Sequence, residues 1–257
     1  MCRVRNGYRQ MGVVCEQYIY YKHILVFVIT MIPRVKTFVR GLDEIMDGGI
    51  PEGSVVLLLG KPGTMKSSIA YGIIYKNVCD AGRKALYVSL EQSASSLTEN
   101  MVGMGFERPG ADSDLSILDL GLLRKKMTQL GQQAWIEIFR MYILNLKSNF
   151  NFDLLVIDSL PVLEMLAKFK EPRDELFQLF EWLRDLKVTT FLIHEETPGS
   201  MSYGEDFLAD GIIHLDLRRE MNAVNLFLSI MKMRRTNHRR GYFPLIFEHG
   251  NFEIVTD

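Results

Sequence analysis

The stretch SVVLLLGKPGTMKSSIAYGIIYKNVCD, residues 54–80, decides how the rest of the chain is read. Residues 54–60 are apolar almost throughout, as in a strand buried on both faces, and residues 66–80 suit a helix. Between them GKPGTMKSS places Gly60, Lys61, Pro62, Gly63, Thr64, Met65, Lys66, Ser67 and Ser68 at a strand-to-helix junction. Such a junction is a ready anion site, because backbone N–H groups turn inward and the helix N-terminus carries partial positive charge. Lys66 is placed to neutralise β- and γ-phosphate charge, and the Ser67 hydroxyl to ligate magnesium.

One residue departs from the pattern G-x-x-x-x-G-K-[S/T]: Met65 stands where the second glycine belongs. Methionine keeps the backbone N–H, so no donor is lost. The expected cost is steric, from a Cβ where the backbone wraps around phosphates. Weakened rather than abolished binding is expected, with the flexible side chain turned away from the ligand.

Downstream, short apolar runs alternate with longer helical ones, the pattern of a parallel sheet covered by helices. KALYVSLE (84–91), FDLLVIDSL (152–160) and TTFLIHEE (189–196) read as further strands. Helices are expected around SASSLTENMVGMG, over 132–148 and over 173–187. GIIHLDL (211–217), NLFLSIMKM (225–233) and PLIFEHG (244–250) follow without room for helices, which suggests antiparallel hairpins at the sheet edge. The expected fold class is α/β: a RecA-like phosphate-loop core with a mostly parallel twisted sheet flanked by helices.

Asp158 closes an apolar strand, where a carboxylate reaches the C-terminal edge of a parallel sheet. Together with Ser67 it is the candidate magnesium ligand, although an Asp at a strand end also serves as a turn or cap residue. Glu91 closes another strand and is the candidate base for an attacking water, with a helix cap as the competing role. Gln92 can orient water but cannot act as a base. His194 is a candidate to sense a γ-phosphate, or simply a polar residue closing a buried strand. Glu195 and Glu196 read as solvated strand-exit charges.

MKMRRTNHRRG (231–241) concentrates Lys232, Arg234, Arg235, Arg239 and Arg240. Lys232 and Arg234 are two apart on an expected strand, hence on one face, and together they can grip one phosphate. A nucleic-acid patch and a solvated hairpin are the other readings, but no aromatic residues are interleaved to stack bases.

Composition narrows the field. The 257 residues are 47% hydrophobic and 24% charged, enough for one substantial core, and the net charge of −1 gives no global attraction to nucleic acid or anionic membrane. Cys2, Cys15 and Cys79 share no metal-ligand spacing, which fits a reduced, cytoplasmic setting. Residues 1–30 differ in character, with basic residues before an apolar stretch interrupted by Lys22 and His23. That run is too short to span a bilayer and lacks a cleavage site. It reads as an extension outside the fold, with the domain occupying 31–257.

These segments in this order, over about residues 35–255, resemble the KaiC-like branch of RecA-type ATPases in a single-domain form. The resemblance implies Mg-ATP as ligand, bound between subunits of a homo-oligomeric ring, commonly a hexamer. It implies Lys66 and Ser67 on the phosphates and Mg2+, Asp158 near the metal, Glu91 as catalytic base, and Lys232 with Arg234 as a pair supplied to the neighbouring subunit. Clock-type relatives carry a second glutamate where this chain has Gln92, which implies slow hydrolysis. The activity implied is that of an ATP-driven switch acting on a protein partner; an assembly scaffold that binds ATP without turnover and a recombinase-like DNA-binding ATPase are the alternatives.

Overall fold

A computed structural model describes residues 32–108, 110, 113–120, 135–196, 204–220 and 223–256. The chain divides into two units, Met1–Pro33 and Arg34–Asp257. The proposed extension, 1–30, lies outside the described residues, and the fold below is that of the second unit.

Its strands are β1 (Arg34–Val35), β2 (Ile50–Pro51), β3 (Val55–Gly60), β4 (Ala85–Ser89), β5 (Leu115–Asp119), β6 (Leu154–Asp158), β7 (Thr189–Glu195), β8 (Gly211–Glu220), β9 (Ala223–Met233), β10 (Phe243–Glu248) and β11 (Asn251–Ile254). The helices are α1 (Lys66–Ala81), α2 (Ala94–Gly103), α3 (Trp135–Phe150), α4 (Leu160–Ala167), α5 (Pro172–Asp185) and the short α6 (Glu205–Leu208). β1 and β2 form a small antiparallel pair, and the rest form one nine-stranded sheet in the order β11-β10-β9-β8-β3-β7-β6-β4-β5. From β8 to β5 every pairing is parallel, while β9, β10 and β11 add on antiparallel.

This matches the expected mostly parallel α/β sheet with an antiparallel C-terminal edge, with one correction. The segment 211–217 is no hairpin edge strand at its first pairing: β8 lies parallel to β3, in the register Gly60↔Leu215, and turns antiparallel only towards β9. The chain between β7 and β8, which holds α6, carries it back to the start of the sheet. Six further elements, β1, β2, β5, β11, α4 and α6, escaped the sequence reading.

The uniform apolarity of β3 follows from burial on both faces. Val56 and Leu58 join a core with α1 and the C-terminal strands, whereas Val55, Leu57 and Leu59 join a second core with α3, α4 and α5. Period-two alternation thus splits one strand between two hydrophobic layers. On α3, Trp135, Phe139 and Ile143 are buried at four-residue steps, while Tyr142, read from periodicity as part of the apolar face, is 40% exposed.

Asp210 fastens the start of β3 to its surroundings. It accepts hydrogen bonds from Val55 N–H at 3.1 Å, Arg184 Nε at 3.2 Å and Arg234 at 3.0 Å. Removing it leaves the Val55 N–H without an acceptor and takes the carboxylate away from Arg184, which keeps the Leu208 carbonyl, and from Arg234. Asp210→Ala is therefore expected to lower the unfolding free energy by about 3 kcal/mol, read as a lower midpoint of urea unfolding at unchanged slope.

Candidate functional site

The parallel register brings the C-terminal ends of β3, β6 and β7 side by side, with the segment after β4 beside them. Gly60 of β3 lies opposite Glu195 of β7, and Ser89 of β4 opposite Asp158 of β6. An open cleft of about 240 Å³ forms there, lined by Pro62, Gly63, Met65, Lys66, Ser67, Ser68, Glu91, Asp158, Ser159, Ile193 and Glu195. Ligands of such folds bind at this edge. A larger depression of about 440 Å³, lined in part by Phe38, Arg40, Glu248 and Glu253, includes none of the loop residues.

The loop is closed on the carbonyl of Lys61, which accepts from Thr64 Oγ1 at 2.7 Å and from Lys66 Nζ at 2.9 Å. Gly60 is required by space: a Cβ there would stand 2.3 Å from the Leu215 carbonyl oxygen and 2.7 Å from Thr64 Oγ1. Met65 sits at φ 63°, ψ 26°, in the left-handed region, as the residue just before α1. Backbone conformation, and not only room for phosphates, is thus what favours glycine here. Methionine bears a strain on the order of 1–2 kcal/mol. The half-buried residue packs against the first core layer while still bordering the cleft, and its backbone caps α1.

Lys66 faces a ring of carboxylates. Burial lowers its pKa, and the charges of Glu195, Asp158 and Glu91 oppose that effect in that order. Asp158, 5% exposed, is raised from the usual carboxylate range by burial, against hydrogen bonds donated by Tyr87 and Ser67. The Tyr87 hydroxyl lies 2.6 Å from Asp158 Oδ2. Ser67 and Asp158 thus already meet, a hydroxyl beside a carboxylate, and this hard oxygen set fits a magnesium ion. Lys66 and the loop N–H groups fit the polyphosphate that accompanies one. Glu91 is exposed on the bend after β4, which ends two residues earlier than expected, and it accepts a hydrogen bond from Ser159 Oγ.

Several candidates come together in this way: Pro62, Gly63, Met65, Lys66, Ser67, Ser68, Glu91 and Asp158 line the cleft, while Gly60, Lys61 and Thr64 shape the loop behind it. Others do not. His194 is 2% exposed and does not line the cleft; it projects to the opposite face of β7, towards Glu164 and Glu205. The reading of Glu195 as a solvated exit charge is corrected, because it lines the cleft and is the strongest charge acting on Lys66. Lys232 and Arg234 do share one face, since both donate to the Phe207 carbonyl, at 3.1 and 3.2 Å. Lys232 also donates to the Asp206 carbonyl at 2.9 Å, and its pKa is lowered by burial and then by Arg234. Neither residue borders the cleft of its own chain. Tyr87 and Ser159 were missed altogether, because nothing local marks a strand tyrosine or a post-strand serine as a partner of distant carboxylates.

Comparison with known proteins agrees with this geometry. The family model described as ATPase: KaiC matches residues 35–257. The chain belongs to the KaiC ATPase family. Among KaiC relatives, a UPF0273 protein of Pyrobaculum aerophilum is 30% identical over 241 residues, covering 88% of this chain and 84% of that protein. The circadian clock oscillator protein KaiC 1 of Synechocystis is 27% identical over 233 residues, covering 87% of this chain but 44% of its own length. The crystal structure of a KaiC-like protein from Pyrococcus horikoshii superposes with a TM-score of 0.75 at 31% identity, covering 88% of this chain and all of that one. The protein is accordingly a RecA-like, ATP-binding KaiC-family domain. No helix among the described residues is long and apolar enough to cross a membrane.

Burial of Asp158 has a measurable consequence. Its folded-state pKa is raised, so the ionised form costs stability at every pH above its unfolded value, and the cost fades as pH falls through that range. Asp158→Asn is expected to raise the thermal midpoint of the nucleotide-free chain at pH 7 by about 2–4 °C, with the gain shrinking on acidification.

Proposed function

We propose that this KaiC-family protein binds Mg-ATP in the cleft beneath residues 60–68 and hydrolyses it slowly as a molecular switch. The observation that carries this reading is the convergence of Lys66, Ser67, Asp158 and Glu91 on one cleft at the C-terminal edge of the sheet. In it Lys66 and the loop N–H groups hold the phosphates, and Ser67 with Asp158 holds Mg2+. The bound ion would supply charge neutralisation on the phosphate oxygens. Tyr87 fixes the Asp158 carboxylate from below, and Ser159 fixes that of Glu91. Glu91, exposed beside the phosphate loop, accepts the proton of the attacking water. Gln92 offers no second base, which is the reason for proposing slow turnover.

Placement of Lys232 and Arg234 outside their own cleft supports a nucleotide shared between copies of the chain, with this pair reaching the γ-phosphate held by a neighbour. A hexameric ring is the arrangement proposed, in the cytoplasm, built from residues 31–257 with 1–30 as an extension. Within one chain the pair is occupied by the Asp206 and Phe207 carbonyls and, for Arg234, by Asp210 at 3.0 Å. Assembly would exchange these contacts for phosphate. The DNA-binding reading has less support, since Arg234 is committed to Asp210 and Arg235 donates to Ser54 at 3.0 Å.

An equilibrium isotherm for Mg-ATP tests the binding claim. Saturable binding is expected for the parent, weakened on the order of 10- to 100-fold by Lys66→Ala and moderately tightened by Met65→Gly. Absence of binding in the parent would end the ATPase reading. Glu91→Gln is expected to leave the isotherm unchanged while phosphate release falls by about 100-fold or more. Binding without phosphate release in the parent would favour the scaffold, and release unchanged in Glu91→Gln would remove Glu91 as the base.

A further inference from the structure

On the face of the sheet opposite the phosphate loop, three side chains able to ligate a metal converge from three separate elements. His194 lies near the end of β7, Glu164 lies on α4 and Glu205 opens α6. One ligand atom of each falls within 4.8 Å of the other two. His194 and Glu205 are 2% and 1% exposed, in a region otherwise built from the second apolar core.

Two independent details show what this group is suited to hold. His194 Nδ1 lies 2.9 Å from the Glu195 carbonyl oxygen. A carbonyl only accepts, so Nδ1 carries the proton and the neutral ring keeps a lone pair on Nε2. A metal-bound imidazole commonly donates its other N–H to such a carbonyl. The second detail is Glu164 Oε1, which is sealed from solvent with no hydrogen-bond donor. An acceptor oxygen left without a donor next to a second carboxylate calls for a cation.

We propose that Glu164, His194 and Glu205 form a site for one divalent transition-metal ion, of which Zn2+ is the representative, separate from the magnesium site at Ser67 and Asp158. One imidazole and two carboxylates suit zinc, manganese or ferrous iron, whereas magnesium prefers oxygen alone. Zinc bonds of about 2.0–2.2 Å place ligand atoms about 3–4 Å apart, a short contraction from the spacing seen here. The ion would join three parts of the nucleotide machinery. His194 precedes Glu195 of the cleft, α4 begins two residues after Asp158, and α6 supplies the carbonyls that hold Lys232 and Arg234. Its role is that of a clamp fixing these elements relative to one another.

The test uses the full chain, stripped of metal with a chelator and free of nucleotide, titrated with Co2+ as an absorbing stand-in for zinc. A saturable visible spectrum at one Co2+ per chain is expected, abolished by one equivalent of Zn2+ and retained in Asp158→Asn, which lacks the magnesium carboxylate. Glu164→Gln, which preserves shape, and His194→Gln are each expected to weaken Co2+ binding by at least about 10-fold. Zn2+ should raise the thermal midpoint of the parent but not of Glu164→Gln. Any of three results would overturn the proposal: no saturable spectrum in the parent, an affinity unchanged in Glu164→Gln and His194→Gln, or a spectrum lost only in Asp158→Asn. A parent titration without a saturable spectrum overturns the proposal even if a variant fails to fold, and Glu164→Gln and His194→Gln are two separate checks on where the ion sits.

Discussion

The close parallel packing of β3 between β7 and β8 is the constraint on which the site depends. At its C-terminal end Gly60 approaches the β8 backbone so closely that a Cβ would stand 2.3 Å from the Leu215 carbonyl oxygen. That approach fixes where the loop leaves the sheet. The same register sets Glu195 beside Gly60, and through β6 and β4 it carries Asp158 and the segment bearing Glu91 to the same edge. The acidic groups around Lys66 are therefore a property of strand order. Strands far apart in sequence are neighbours in the sheet because their apolar faces must be buried by helices on both sides.

Within that frame the loop works under two kinds of strain, one conformational and one electrostatic. Met65 adopts a left-handed backbone that glycine would take at no steric cost, and the price is partly offset by packing against the first core layer. Asp158 and Lys66 are both pushed towards their neutral forms by burial, and each opposes that effect in the other. Such a site is less stable than an apolar one of the same shape. Groups whose ionisation is perturbed by burial and gathered in one cleft mark a candidate functional site.

The K-x-R pair illustrates how placement limits function. Lys232 and Arg234 leave the same face of β9 and its continuation, yet they end on the carbonyls of α6 and on Asp210. Within one chain both side chains are therefore taken up by other acceptors, and neither borders the cleft.

Local sequence determined the parts of this protein that depend on covalent order. Apolar runs marked β3, β6 and β7, four-residue periodicity marked α3, and the GKPGTMKSS spacing marked the phosphate loop with Lys66 and Ser67. Asp158 was legible too, because a carboxylate closing a buried strand has few other places to go than the sheet edge. Tertiary structure decided everything that depends on which strand lies beside which. Period-two alternation says that His194 and Glu195 face opposite ways, but only the packing of α1 on one side and α4 on the other says which of them meets the nucleotide cleft. Sequence reasoning left His194 open between a phosphate sensor and a buried strand residue and set Glu195 aside as a solvated charge, whereas the fold buries the histidine and gives the cleft to the glutamate. Tyr87, Ser159 and the Glu164–His194–Glu205 group stayed hidden for the same reason: their partners lie on other elements, and hydrogen bonding and charge depend on distance in space, which no local pattern encodes.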